Sequence, residues 1–497
     1  MKGKVVKLLM VFIMTFSIFT GFMNKNTYTQ VNASASDSYL SNIKKKGTIV
    51  MGTAPDYPPY EFTKNEGGQA KILGADIELA KQIAKNMGVK LKIKSMSFDS
   101  LLVALQTGKV DMVIAGLTKT PERAKSVDFT IPYYNGGQSL LVNSNDNSIK
   151  SYKDLNNQSV GVQTGSTQYN LVKQQVKNAS LKGMESVNDL VLALKTNKVK
   201  AVAVESATGE AYASNTPGIK AIDAKFNTAK AQNVVAFHKG ATSLVNAANK
   251  TIKAANASQE FEKKFIPEAS KQMGTSAKKQ KISVWQQMYN YKDYFIKGTE
   301  YTILISIIGT ILGLLLGILL ALMRLSKNKL FHAIAVAYIE FIRGTPLMVQ
   351  IMFVYFGLGT IVNVPALTSG IIAVFINSGA YVAEIIRSGI ESIDDGQSEA
   401  ARSLGFSSHQ TMQIVVLPQA IKNILPALGN EFVSLIKESS IVSIIGVTDL
   451  IYQLRIVQAD TYQGVVPIFI VMVIYFILTF GISRLLGLLE GRLKHEE

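Results

Sequence analysis

The chain has 497 residues, a net charge of +17 and only 18% charged residues, with a mean hydropathy of +0.19. That balance argues against a purely cytosolic enzyme and against long disordered arms, and the dispersed Lys and Arg argue against a nucleic-acid interface. Cys is absent, which excludes disulfides, thiolate metal sites, Cys nucleophiles and a lipidated Cys anchor, and four His leave little room for a zinc enzyme.

Lys2, Lys4 and Lys7 precede an uncharged stretch, Leu8 to Met23, and then Ala33-Ser34-Ala35. This order predicts a secretory signal peptide over residues 1–35. An uncleaved anchor would equally place residue 36 onward outside the membrane.

Residues 36–267 read as an α/β domain. Thr48–Met51 is strand-like, Ala75–Met87 has apolar residues at helical spacing, and Val89–Ile93 alternates. Leu101–Gln106 is helical and Val110–Ala115 again strand-like. A second such set runs through Ser159–Gln163, Asn188–Thr196 and Val199–Val204. Two βαβ sets predict two lobes with mostly parallel sheets, hinged around a ligand held at the carboxyl ends of strands. Residues 268–293 follow as a linker, whose first part, 268–282, is polar and without periodicity.

Residues 294–497 predict an all-α membrane domain. Tyr301–Met323 carries no charge and is long enough to span a bilayer. Gly344–Ala383, broken by Asn363 and Pro365, fits two spans. Asn423–Val447 carries Glu431, Lys437 and Glu438, and Thr461–Ser483 is the last uncharged run. About five spans result. Basic residues follow the first (Arg324, Lys327, Lys329), the third (Arg387, Arg402) and the last (Arg484, Arg492, Lys494), which places those loops in the cytoplasm. An odd number of spans then leaves residues 36–267 outside the cell.

No Gly-x-x-x-x-Gly-Lys-[Ser/Thr] occurs, so the chain lacks a phosphate loop of that kind, and any ATPase driving it is another chain. Glu399-Ala400-Ala401, Gly405 and Leu417-Pro418 form a short helix with small residues, a turn glycine and a proline re-entry. These residues resemble the EAA signature of bacterial ABC importer permeases, with Val415 where the pattern has Ile. Phe341 to Leu347 and Leu435 to Ser440 resemble the polar-amino-acid branch of those permeases. In the exported half, Pro59-Tyr60-Glu61-Phe62, Gly74-Ala75-Asp76-Ile77, Ala104 to Gly108, Ala115 to Thr118, Thr120 to Arg123 and Val127 to Thr130 resemble the family 3 solute-binding proteins.

The resemblance implies a type II periplasmic-binding-protein-like receptor fused to a permease of about five helices, of the glutamine type. It implies that Arg123 holds a ligand carboxylate, with Gly116 and Thr118 before it in the same turn. Glu205, where the family commonly has Asp, would hold the ammonium. Ser166 would face the carboxylate, and Tyr57 and Phe98 would sandwich the aliphatic stem. Gln163 stands where glutamine receptors carry Lys, and Ala54 where they carry Asp, so the side-chain reading weakens. Glu399, Ala400, Ala401 and Gly405 would dock a cytoplasmic ATP-binding subunit. One permease unit per chain implies a homodimer. The resemblance implies no cofactor, metal or catalytic group. A ligand-gated channel and an exported enzyme are the competing readings. The spans all follow an unbroken receptor, no Thr-Val-Gly-Tyr-Gly filter occurs, and no nucleophile–base pairing is visible.

Overall fold

The first strand, β1 (Thr48–Thr53), is buried from Ile49 onward, as a central parallel strand must be when both of its faces are covered. It belongs to a computed structural model that describes residues 38–494 apart from 67–68, 229–230, 278–282, 359–360 and 363. The signal peptide expected over 1–35 lies outside the described residues. After β1 comes α1 (Ala75–Met87), which buries Ile77, Leu79, Ala80, Ile83, Ala84 and Met87 and stops at the left-handed Gly88. The strands β2 (Lys90–Ser95) and β3 (Met112–Val113) pair with β1 in parallel, and β4 (Val127–Phe129) lies at the far edge. The ladder is shorter at β3 than the apolar run Val110–Ala115 suggested.

The chain then crosses to a second lobe. Its strands are β5 (Gln138–Asn143), β6 (Ser159–Gln163), β7 (Ser180–Met184), β8 (Ala201–Glu205) and β9 (Ile219–Asp223), and its helices include α2 (Thr167–Gln175) and α3 (Val187–Lys195). The return strand β10 (Ala236–His238) completes the first sheet. The two orders are β2-β1-β3-β10-β4 and β7-β6-β8-β5-β9. Each sheet carries one reversed strand, β10 or β5, next to a crossover. The crossovers themselves pair side by side, Tyr134–Gly136 against Ala231–Asn233, and form a two-stranded hinge.

Residues 268–277 are helical, where their composition suggested a flexible linker. Helix α4 (Ile266–Ala277) buries Ala269 and Met273 against Phe62 of lobe 1. Spacing of i, i+4 was enough to give these two a shared face.

In the membrane half, α5 (Lys292–Leu325) packs along its length on a later helix, α8 (Ala366–Glu391). Between them in sequence lie α6 (Lys329–Arg343) and α7 (Leu347–Met352), the latter continued by a π-helical turn, Phe353–Gly357. Helices α9 (Asp395–Ser403), α10 (Leu417–Glu438), α11 (Leu450–Thr461) and α12 (Val465–Lys494) follow α8. The α5–α8 contact is a stripe of glycines. A Cβ at Gly309, Gly313 or Gly317 would lie 2.4–2.7 Å from Val374, Ser378 or Val382, the close approach that drives helix association in lipid.

Helices α5, α8 and α12 are long and apolar enough to cross a membrane, and two bent pairs bring the number to five. The first pair, α6 with α7, bends by 105°. The second is the run expected over Asn423–Val447. It is helical to Glu438, tightens to a 3-10 turn over Ser439–Ile445, and turns at the left-handed Gly446 into α11. Lobe 1 rests on this end of the spans: Lys109 Nζ donates to the Val364 carbonyl at 3.0 Å, just before α8. Arg387 and α9 stand at the opposite end of α8. The receptor and the basic loops therefore face opposite sides, as the charge pattern required.

Candidate functional site

Thr120 caps the short helix Pro121–Ala124, its Oγ1 accepting from the Arg123 N–H. The cap turns Arg123 back into the cleft. There Nη1 donates to the Thr118 carbonyl at 2.5 Å, and Nη2 donates across the cleft to the Gly165 carbonyl of lobe 2 at 2.8 Å. Its guanidinium lies 5.7 Å from the Phe98 ring centroid. Burial lowers its pKa to about 10, which leaves it a cation.

Gly116 adopts φ +53°, and a Cβ there would sit 3.2 Å from the Tyr57 ring. Its N–H donates to Asp76 Oδ2 at 2.8 Å, and Tyr133 Oη donates to the same carboxylate. Asp76, at the start of α1, is raised to about 6 by burial. Burial, together with the Asp76 charge, pushes the neighbouring Glu61 carboxyl well above its ordinary range. This buried acid pair fixes the turn from behind.

Across the cleft, Glu205 ends β8 and is 1% exposed. Its Oε2 accepts from Asn233 Nδ2 at 3.0 Å, and its N–H donates to Tyr57 Oη at 2.9 Å. Burial pushes the carboxyl up to about 7. Ser166 caps α2 by accepting from the Tyr169 N–H, and Gln163 ends β6 with Nε2 donating to the Glu185 carbonyl at 3.1 Å.

Tyr57, Phe98, Gly116, Thr118, Arg123, Gln163, Ser166 and Glu205 all line one cavity between the lobes. Ala115, Thr167 and Gln168 complete the lining. Sequence reasoning passed over Gln168, which is buried with its Nε2 donating to Gln138 Oε1 at 2.9 Å. The signal was present: a Ser at the N-cap puts the next residues at a helix N-terminus, where amides face an anion. Ala54 lines a neighbouring cavity at the cleft mouth instead, with Asp56, Phe98 and Glu185. Among the lining residues of the central cavity there is one cation, Arg123, and one acid, Glu205. A guanidinium and the start of α2 suit a carboxylate, and Glu205 suits a cation on the same small molecule.

At the far end of the permease, α9 carries Glu399, Ala400 and Ala401. Ala401 is buried, on the side of the π-turn Thr411–Val416, whereas Glu399 and Ala400 are exposed. The two alanines therefore do different things: one packs the helix onto its own chain, the other faces out. Gly405 has φ +90°, with open space around it. Its glycine requirement is conformational, not a matter of room within this chain. Leu404 beside it is 79% exposed and Ile414 59%, an apolar surface at the cytoplasmic end.

Residues 49–267 match the bacterial extracellular solute-binding proteins, family 3, and residues 313–495 match the binding-protein-dependent transport system inner membrane components. A Rickettsia felis permease named for glutamine transport is 40% identical over 202 residues, which are 40% of this chain and 93% of that one. The glutamine transport system permease protein GlnP of Escherichia coli K12 is 36% identical over 213 residues, 42% of this chain and 97% of its own. The chain belongs to the binding-protein-dependent permeases, with a family 3 receptor fused ahead of the permease. An amino-acid ABC transporter substrate-binding protein of Streptococcus pneumoniae, crystallised with L-arginine, is 37% identical with a TM-score of 0.45, over 46% of this chain and 98% of that one.

The protein is thus the receptor and permease of an amino-acid ABC importer in one polypeptide. It is a multi-pass membrane protein, and its receptor is of the extracellular type.

Proposed function

We propose that the receptor half captures a polar L-amino acid, with glutamine the preferred ligand, and hands it to its own permease. The carrying observation is the charge count of the cavity. Arg123 from lobe 1 and Glu205 from lobe 2 suit the carboxylate and ammonium of one zwitterion. Among the described residues no third charged side chain lines the cavity, so the ligand's own side chain meets Gln163, Gln168, Thr167 and apolar rings. A neutral amide suits that surface, whereas an arginine or glutamate side chain would leave a buried charge without a partner. The names of the permease relatives support the same ligand.

Transport is powered by a separate cytoplasmic ATPase that docks on α9, Leu404 and Gly405. The support is the exposed apolar surface there and the missing phosphate loop. The permease works as a homodimer. Lys437 and Glu438 near the outer end of α10 are exposed on the single chain, and a second copy, or the polar path between two copies, would shield them from lipid.

Calorimetry on the purified full-length chain with the twenty L-amino acids and L-cystine tests the ligand. Glutamine is expected to bind most tightly. Arginine or cystine binding more tightly than glutamine overturns the assignment.

A further inference from the structure

The two lobes meet the permease in different ways. Lobe 1 is seated broadly. One continuous apolar cluster runs from Met96, Leu101 and Leu105 into Tyr355, Phe356 and Ile444 of the permease. Lys109, almost fully buried, adds its bond to Val364 and lies 4.8 Å from the Tyr355 ring centroid. Asn65 donates its N–H to Asp460 Oδ2 at 2.7 Å.

Lobe 2 meets α11 and the turn after it, through small and partly polar contacts. Arg455 Nη2 lies 3.3 Å from Glu185 Oε2, each side chain one-third exposed. Leu192 lies against Gly464, where a Cβ would come within 2.5 Å of it. Tyr212 packs edge-on against Tyr462, with ring centroids 5.9 Å apart.

Beside Arg455 is a contact that joins the two lobes. Asp56 of lobe 1 accepts the Val187 N–H of lobe 2 at 2.9 Å, and its carbonyl accepts from Tyr212 Oη. Asp56, Glu185 and Arg455 line the same small cavity at the cleft mouth. The field of Arg455 also stabilises the charged forms of Asp56 and Asp189. Closure therefore gathers three carboxylates from two lobes in front of one permease guanidinium. The open receptor would disperse them.

We propose that lobe 1 is the standing anchor of the receptor on its permease, and that lobe 2 docks on α11 and Tyr462 only when ligand has closed the cleft, with Arg455 positioned to read that closure. This rests on the assignment of the inter-lobe cavity as the amino-acid site.

The absence of Cys makes the test direct, because paired cysteines have no background. In full-length protein in membranes, Leu192→Cys with Gly464→Cys reports lobe 2, by disulfide formation. Lys109→Cys with Val364→Cys reports lobe 1, by a short bis-maleimide. Saturating L-glutamine is expected to raise the lobe 2 cross-link at least about threefold and to leave the lobe 1 cross-link unchanged. Arg455→Gln should remove the ligand response of lobe 2 while glutamine binding, read by calorimetry on the same chain, stays parental. Arg455→Lys, which keeps a cation before the three carboxylates, should retain the response. If glutamine binds and the lobe 2 cross-link does not change, or if both cross-links rise together, the inference is overturned and the ligand assignment stands. If glutamine does not bind at all, both fall.

Discussion

Arg123 of lobe 1 reaches the Gly165 carbonyl of lobe 2 at 2.8 Å, so the guanidinium proposed to clamp a ligand also ties the lobes together. Under that proposal, ligand capture and lobe closure share one side chain.

Arg123→Ala should therefore weaken glutamine binding by at least about 2 kcal/mol, the cost of removing one partner of a desolvated charge pair. Arg123→Lys should recover little of this, because an ammonium cannot donate to Thr118, Gly165 and a carboxylate in one plane. Calorimetry on the full-length chain checks both. Parental affinity in Arg123→Ala would mean the cavity is not the amino-acid site.

Affinity should depend on pH near neutrality. Burial raises the Glu205 carboxyl to about 7 in the empty site, and an ammonium partner favours its ionised form. Binding then releases a proton below pH 7, so affinity is full above that pH and falls, approaching tenfold per unit, as pH drops beneath it. The groups facing Glu205 are Tyr57, Tyr60, Asn233 and, through space, Asp76. Glu205→Gln should bind weakly and lose this part of the pH profile. A profile unchanged by that substitution would show that another group titrates.

Gly116 and Gly108 offer a controlled pair. Both have positive φ, but a Cβ at Gly108 meets nothing within 4 Å, whereas one at Gly116 meets the Tyr57 ring. Gly108→Ala should cost about 1 kcal/mol of stability and leave affinity alone. Gly116→Ala should cost affinity as well, because the Asp76-fixed turn and Tyr57 cannot both keep their places. Thermal unfolding and ligand titration on the same two variants separate the outcomes.

At the cytoplasmic end, Gly405→Asp should leave glutamine affinity parental while uptake and ligand-stimulated ATP hydrolysis fall together. The reason is its φ of +90°, which an Asp adopts only at a cost. Leu404→Asp is the cleaner variant, since Leu404 is exposed and its loss removes no internal packing. Uptake at the parental rate in both would reduce the segment to an ordinary loop.

The purified chain should not turn over ATP by itself. Hydrolysis that survives removal of every associated subunit would contradict the reading of the sequence.

The strands and helices that carry a strong period were legible in advance: β1, α1 and the uncharged core of α5 appear where alternation and helical spacing put them. The eight cavity residues came from short motifs that resemble a family, and their gathering at one place follows from strand ends meeting across the hinge. What sequence could not supply was partnership over long separations. Asp56 and Val187, or Glu185 and Arg455, carry no mark of each other in the chain. The run Asn423–Val447 read as one span because apolar content says nothing of where a helix tightens. Ser439, Ser440 and Ser443 bond back to backbone carbonyls or sit where that happens, and Gly446 turns the chain. Residues 268–277 failed the opposite way: two apolar residues, Ala269 and Met273, sufficed to seat a helix against a surface the sequence could not reveal.

That helix has a consequence for stoichiometry. Lobe 1 is bound to α4, and the chain from Ala277 to Val284 can reach at most about 25 Å. A receptor held this near its permease is present at an effective concentration on the order of millimolar, whatever the number of copies in the cell. Scavenging efficiency at trace nutrient levels then depends on the affinity of the cavity and the cycling rate of the permease.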